Sequence, residues 1–415
     1  MSRTLRPPGL LLALAAVLAG GCASTPVAKN VPVPFVATPN LTLPSVVAPV
    51  PPPSAGSTTT GPAFRRAAAE AGDPAAQAAL ADDYLRGANG FPSHPVEAAA
   101  WNLQAAGQKN VSAMVSLGWQ YASGAGVAQD FATARKWFES AAQAAGPSGH
   151  YEVAGLYATG RGVGAIDPAS VVRHLRLAAA DRHVPAMAML GSMLFSGEGV
   201  KQDHAEALRW VRSAAEAGDV SAQLLLGRMY EEGAGTKVSY AEARRWYGTA
   251  GGLGNREAQF RLGWLHESGL GGPQDFVQAR TCYEQSARLG DIRAMSNLGA
   301  FYLNGTGVRQ DYAAALRWIR PAANSGYARA LVQLGIAYNR GQGLGRDPVA
   351  ALLCFEDAAA QGDGIGMYQL GLMYSAGDGV DRNVPLALEW LEKSAALKHP
   401  AAATELAKLR AAPAR

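Results

Sequence analysis

Residues 294–326 read AMSNLGAFYLNGTGVRQDYAAALRWIRPAANSG. The apolar positions before Tyr302 suit a short helix, and the Gly305-x-Gly307 segment breaks it, because glycine accepts positive φ without steric cost. Asp311 stands where a second helix would begin and can accept a backbone N–H as its N-cap. Trp318 lies seven residues into that helix and Ala322-Ala323 eleven to twelve, so they share one face. Gly326 closes it. The stretch reads as two helices joined by a glycine turn.

The same columns recur along the chain. The aromatic-x-x-Gly-x-Gly segment returns at Tyr121, Tyr157, Tyr230, Tyr338 and Tyr374, with Leu194 and His266 leading two further copies, and a degenerate first copy begins at Tyr84 and Gly87. From Gly197 to Gly377 the first glycine is spaced by 36 residues each time. Trp101, Trp137, Trp210, Trp246, Trp318 and Trp390 share one slot, filled by His174, Cys282 and Cys354 in the other repeats. Asp130, Asp167, Asp203, Asp275, Asp311 and Asp347 share the cap slot, with Ser239 and Asn383 as substitutes. Pro168 and Pro348 follow their Asp directly, at the helix position where proline is best tolerated. First helices are expected over segments such as Ala113–Ala122 and Ala222–Glu232. The implied fold is all-α: an α-solenoid of about nine stacked helix–turn–helix repeats of 36 residues over 63–410. Phe64–Ala71 and Ala401–Arg410 are expected to cap its ends, and 411–415 to form a tail.

The pattern A-x-x-x-L-G-x-x-Y-x-x-G-x-G-V, then D-x-x-x-A-x-x-W and A-A-x-x-G, closely resembles the Sel-one-like repeat, a tetratricopeptide-related family. Ala186–Val200, Ala222–Gly235 and Ala294–Val308 match most of it. The resemblance implies a scaffold for protein–protein assembly that binds along a concave face lined mainly by first helices. Candidate contact residues are Trp119, Arg228 and Trp264, which share a slot with Ile336 and Leu372. One step around, Asn297, Gln333 and Gln369 form a ladder of amides suited to an extended peptide backbone. Trp119 and Trp264 either face that groove or pack between repeats. The family also includes exopolysaccharide-export accessory lipoproteins, and Cys-rich relatives to which β-lactam hydrolysis is attributed. This chain lacks the per-repeat Cys pairs of that branch.

Residues 1–62 lie outside the repeat. Arg3 and Arg6 precede an apolar run, Leu10–Ala19, whose ten helical residues span ~15 Å, too short to cross a bilayer. The run exits through Leu18-Ala19-Gly20-Gly21-Cys22, which resembles a lipobox, with 1–21 as signal peptide and Cys22 as the lipidated residue. Ala23, rather than Asp, after that cysteine implies the outer membrane, with the protein facing the periplasm. Residues 22–62 are rich in proline, contain no Asp or Glu, and read as an extended tether reaching on the order of 100 Å.

Composition narrows the chemistry. A net charge of +4 over 415 residues is low for a nucleic-acid binder. The Gly-x-Gly segments never continue into a P-loop, so no nucleotide or other small-molecule cofactor is expected. His266-Glu267 lacks the second histidine of a zinc helix. His150, His174, His183 and His204 fall in neighbouring repeats and could approach one another, but no metal site is expected. Cys282 and Cys354 stand two repeats apart, roughly 20 Å given helix packing distances of ~8–10 Å, and are expected to be buried free thiols. The second helices carry many arginines, as a solvated outer face would, or a surface for an anionic polymer. The reading is a non-enzymatic, membrane-anchored scaffold for protein or peptide partners in the cell envelope, with an exopolysaccharide-export accessory lipoprotein and a cell-wall or β-lactam hydrolase as the alternatives.

Overall fold

The computed structural model describes residues 62–144, 146–160 and 166–411. Cys22, the 1–21 signal sequence, the tether up to residue 61 and residues 412–415 lie outside the described residues. The described residues form twenty helices and no strand. They divide into two compact units, 62–246 and 247–411.

The first unit holds α1 (Pro62–Glu70), α2 (Pro74–Arg86), α3 (Pro95–Gly107), α4 (Val111–Ser123), α5 (Phe131–Gln143), α6 (Pro147–Thr159), α7 (Pro168–Ala180), α8 (Val184–Ser196), α9 (His204–Glu216) and α10 (Val220–Glu232). The division between the units falls within α11 (Tyr240–Gly252). The second unit continues with α12 (Arg256–Ser268), α13 (Phe276–Arg288), α14 (Ile292–Asn304), α15 (Tyr312–Asn324), α16 (Ala328–Arg340), α17 (Pro348–Ala360), α18 (Gly364–Ala376), α19 (Val384–Ala396) and α20 (Ala402–Ala411). Within each unit an even-numbered helix pairs with the odd-numbered helix after it, as α8 with α9 and α16 with α17, and that helix packs on the next pair. This is an all-α solenoid. The two end helices occur as expected, α1 starting at Pro62, the last residue assigned to the tether.

The expected caps on the second helices are present. Asp130, Asp203, Asp275 and Asp347 each accept a backbone N–H from the first turn of the helix they precede. The first helices start two residues earlier than the sequence reading placed them, at Val111 and Val220 rather than Ala113 and Ala222. The reason is a second set of caps. Asn110, Asp219, Asn255 and Asp363 bond the N–H groups of the first turns of α4, α10, α12 and α18. Gly218, Gly254 and Gly362 each precede such a cap, so the dipeptide ends one helix and starts the next.

Packing within a pair rests on the glycine of the Leu-Gly column. The eighth residue of the second helix sits over it: Phe138 over Gly118, Val211 over Gly191, Tyr283 over Gly263, Ile319 over Gly299. These four large residues are fully buried. A Cβ on Gly299 would lie 2.2 Å from Ile319 Cγ1. The Ala pairs fill the rest of the interface, as with Ala322 and Ala323 at 0% and 5% exposure. In the turn, Gly235 has φ +70°, and a Cβ there would meet the His204 carbonyl oxygen at 2.1 Å.

Cys282 is buried and Cys354 only half-buried, and both are free thiols. The expectation of two buried thiols therefore holds for Cys282 alone. Burial pushes both thiols up to about 11.

Two predictions follow from this packing. Gly299→Ala lowers the unfolding free energy measured in urea by ~1–3 kcal/mol, as an overpacked core does, whereas Gly107→Ala raises it by ~0.5–1 kcal/mol, because a methyl at Gly107 meets nothing within 4 Å. In the native chain at pH 8, iodoacetamide labels both cysteines far more slowly than after unfolding, with Cys354 ahead of Cys282, as peptide mass mapping over time would show.

Candidate protein-binding surface

The second, sixth, ninth and thirteenth residues of each first helix lie on one side of that helix, being spaced by three and four. The seventh and eighth, the Leu-Gly pair, turn into the core. The candidate contact residues fall on the former side: Trp119, Arg228 and Trp264 are ninth residues, and Asn297, Gln333 and Gln369 are sixth residues. Their surroundings differ.

In the first unit, Trp119 is half-buried and meets Phe138 edge-on at 5.4 Å between centroids. It is a packing residue of its own repeat. Arg228 pairs with Glu232 at 2.6 Å and lies 5.1 Å from the centre of the Phe195 ring, with a side chain only 17% exposed. In the second unit, Trp264 is 38% exposed. Its equivalents Ala300, Ile336 and Leu372 are half-buried, so four successive first helices carry an apolar residue at this position.

The amide ladder is not open in the way the sequence reading expected. Asn297 and Gln333 are buried, at 8% and 7% exposure. Gln333 Nε2 donates to the Ser296 carbonyl at 3.1 Å, and Ser296 Oγ donates to Gln333 Oε1 at 3.0 Å. The Tyr283 hydroxyl donates to Glu267 Oε2 at 2.5 Å. Burial, then the Glu267 charge, push the Tyr283 hydroxyl well above its ordinary value. The Gln333 amide ties adjacent repeats together, and of the three amides only Gln369 is half-buried.

A charged network beside Trp264 was not read from the sequence. Arg293 pairs with Asp291 at 2.5 Å and with Glu257, and lies 4.2 Å from the centre of the Phe260 ring. Arg261 pairs with Glu257 at 2.7 Å. Burial pushes the Glu257 carboxyl up, but the bond and charge of Arg293, with Arg261 behind, hold it below its ordinary value. The signal was available as Arg and Glu at the second and sixth positions of adjacent repeats.

His150 and His174 do meet, Nδ1 to Nδ1 at 3.1 Å. Arg173 approaches the other ring nitrogen of His174 at 3.3 Å. Burial, then Arg173, push His174 down to about 4. His183 instead packs on Tyr151, and His204 on Phe195. No group of three metal-ligating side chains occurs among the described residues. On the second helices, Lys136, Arg173, Arg209 and Arg245 are exposed, and Arg176, Arg245 and Arg280 are in ion pairs with glutamates. None of the described helices is long and apolar enough to cross a membrane.

Nine consecutive segments, from 74–110 to 364–399, match the Sel1 repeat. The chain is similar to the crystal structure of c5321, a protective antigen of uropathogenic Escherichia coli with an SLR fold, at 28% identity and a TM-score of 0.68, covering 83% of this chain and 81% of that one. It is also similar to a Sel1 repeat protein from Oxalobacter formigenes, at 25% identity and a TM-score of 0.52, covering 83% and 90% of the two chains. No match to a curated protein was found. Sel1 repeats are scaffolds for protein–protein binding, and over residues 74–399 this chain belongs to the Sel1 repeat family.

Proposed function

We propose that this chain is a non-enzymatic adaptor, anchored through a lipid on Cys22 to the outer membrane and facing the periplasm. Its first helices would take up peptide segments of envelope proteins, and so assemble or localise a complex. The observation that carries this reading is Trp264. At 38% exposure it is the one tryptophan among the exposed large hydrophobic side chains of the described residues. Exposed tryptophan beside arginine is the composition of interface anchors. Apolar residues at the equivalent position of α14, α16 and α18 extend the strip along a direction an extended peptide could follow. The leader, with its charged start, short apolar run and small-residue exit before Cys22, supports the envelope location. Two or more acyl chains would hold the protein stably, at ~0.8 kcal/mol per buried methylene.

A photoreactive residue at position 264, crosslinked in intact cells and followed by mass spectrometry, tests the reading. A discrete protein adduct is expected, and Trp264→Ala is expected to abolish partner capture with the melting temperature unchanged. Trp119→Ala is expected to do the reverse to stability, costing ~3 kcal/mol by opening a cavity against Phe138. Adducts from positions 209 or 245 but none from 264 would move the site to the second helices and overturn the assignment.

A further inference from the structure

Charge distinguishes the first-helix surfaces of the two units. In the second unit, the side of α12, α14, α16 and α18 that carries Trp264 holds four arginines, at 261, 293, 329 and 340, and one carboxylate, Glu257. Glu257 and Asp291 engage Arg261 and Arg293. Arg329 and Arg340 have no carboxylate within ion-pairing distance among the described residues. Arg329 Nε is buried and makes no hydrogen bond. Both arginines stand on α16, at its second and thirteenth residues, with Ile336 between them on the same side and the buried Gln333 amide as floor. In the first unit the equivalent positions are mainly small and uncharged, as Ser112, Ser116 and Ser123 on α4, and the cations Arg86 and Arg228 are neutralised by Asp82 and Glu232.

We propose that the first-helix surface of residues 256–376 selects an acidic, extended peptide segment: apolar side chains seat on Trp264, Ile336 and Leu372, and its carboxylates pair with Arg329 and Arg340. The proposal deepens the adaptor reading and rests on it. A neutral segment seated on the apolar row would leave Arg329 desolvated and unpaired, which costs binding energy. A basic segment would be repelled. A carboxylate beside the Arg329 guanidinium supplies the counter-charge that no carboxylate among the described residues provides, and a charge-assisted bond of that kind is among the stronger ones available. Arg340, exposed at the end of α16, contributes by attraction at longer range and is more sensitive to salt.

Random twelve-residue peptides displayed on phage, selected on the full chain, test this. The enriched peptides are expected to combine Asp or Glu with Leu, Ile or Phe. A selected peptide, measured by fluorescence anisotropy, is expected to lose about tenfold in affinity with Arg329→Gln, and about tenfold with Trp264→Ala or Ile336→Ala. Arg340→Gln is expected to lose less, and its effect to vanish at 500 mM salt. Peptides that need Trp264 and Ile336 but show no acidic excess, or bind Arg329→Gln unchanged, would overturn the charge assignment and leave the adaptor surface standing. Peptides indifferent to Trp264→Ala and Ile336→Ala, or no enrichment over an unrelated immobilised protein, would overturn both.

Discussion

The distance between the two helices of a repeat is set by one missing side chain. Where Phe138, Val211 or Ile319 lies over a glycine, the helix axes come close enough for the Ala pairs to interlock. A methyl at that point would force the second helix outward and separate both. Each pair is thus a small-residue seam with a single large residue driven into it. This fixes where every other side of the two helices points. The seventh and eighth residues of a first helix face inward, which commits its second, sixth, ninth and thirteenth residues to the opposite side. The candidate surface is therefore a geometric consequence of the seam.

Much of this was legible in the sequence because the repeat prints its own controls. A glycine that recurs at a spacing of 36 with a cap residue behind it cannot be a chance helix breaker. The second-helix caps, the prolines after Asp167 and Asp347, and the two end helices all stand where periodicity puts them. The first helices begin ahead of their apolar pattern, at the Gly-Asp and Gly-Asn dipeptides, so the apolar pattern alone puts their starts too late. Asp219 and Asp363 lie outside the apolar pattern, so only their capping chemistry reveals them.

The surface was less legible, for a physical reason. Position along a helix says which side a residue occupies, but not how far its neighbours rise around it. Asn297 and Gln333 share the side of Trp264, yet both are buried, and Gln333 bonds inside the protein. Trp119 and Trp264 occupy the same slot and still differ, because Phe138 covers one edge of the former. Arg293 draws its partners from Asp291 beside it and from Glu257 one repeat earlier, so its network is visible only when adjacent repeats are aligned. Exposure depends on the sizes of residues in adjacent repeats, which differ from copy to copy even when the columns align.

The tryptophan column has a spectroscopic consequence. Most repeats carry their own indole, so intrinsic emission reports on the array nearly repeat by repeat. The column is interrupted at His174, Cys282 and Cys354; Trp264 still serves the Cys282 repeat, but the segments 147–183 and 328–363 contain no tryptophan at all. Those two repeats are dark, while their backbones contribute to far-ultraviolet dichroism like any other. If the array unfolds in stages, as nearest-neighbour repeat proteins do when cooperativity breaks down, the two signals diverge whenever a dark repeat opens first. The difference between the two melting curves then measures the local stability of the His150–His174 repeat and of the repeat that carries Arg329, without any label.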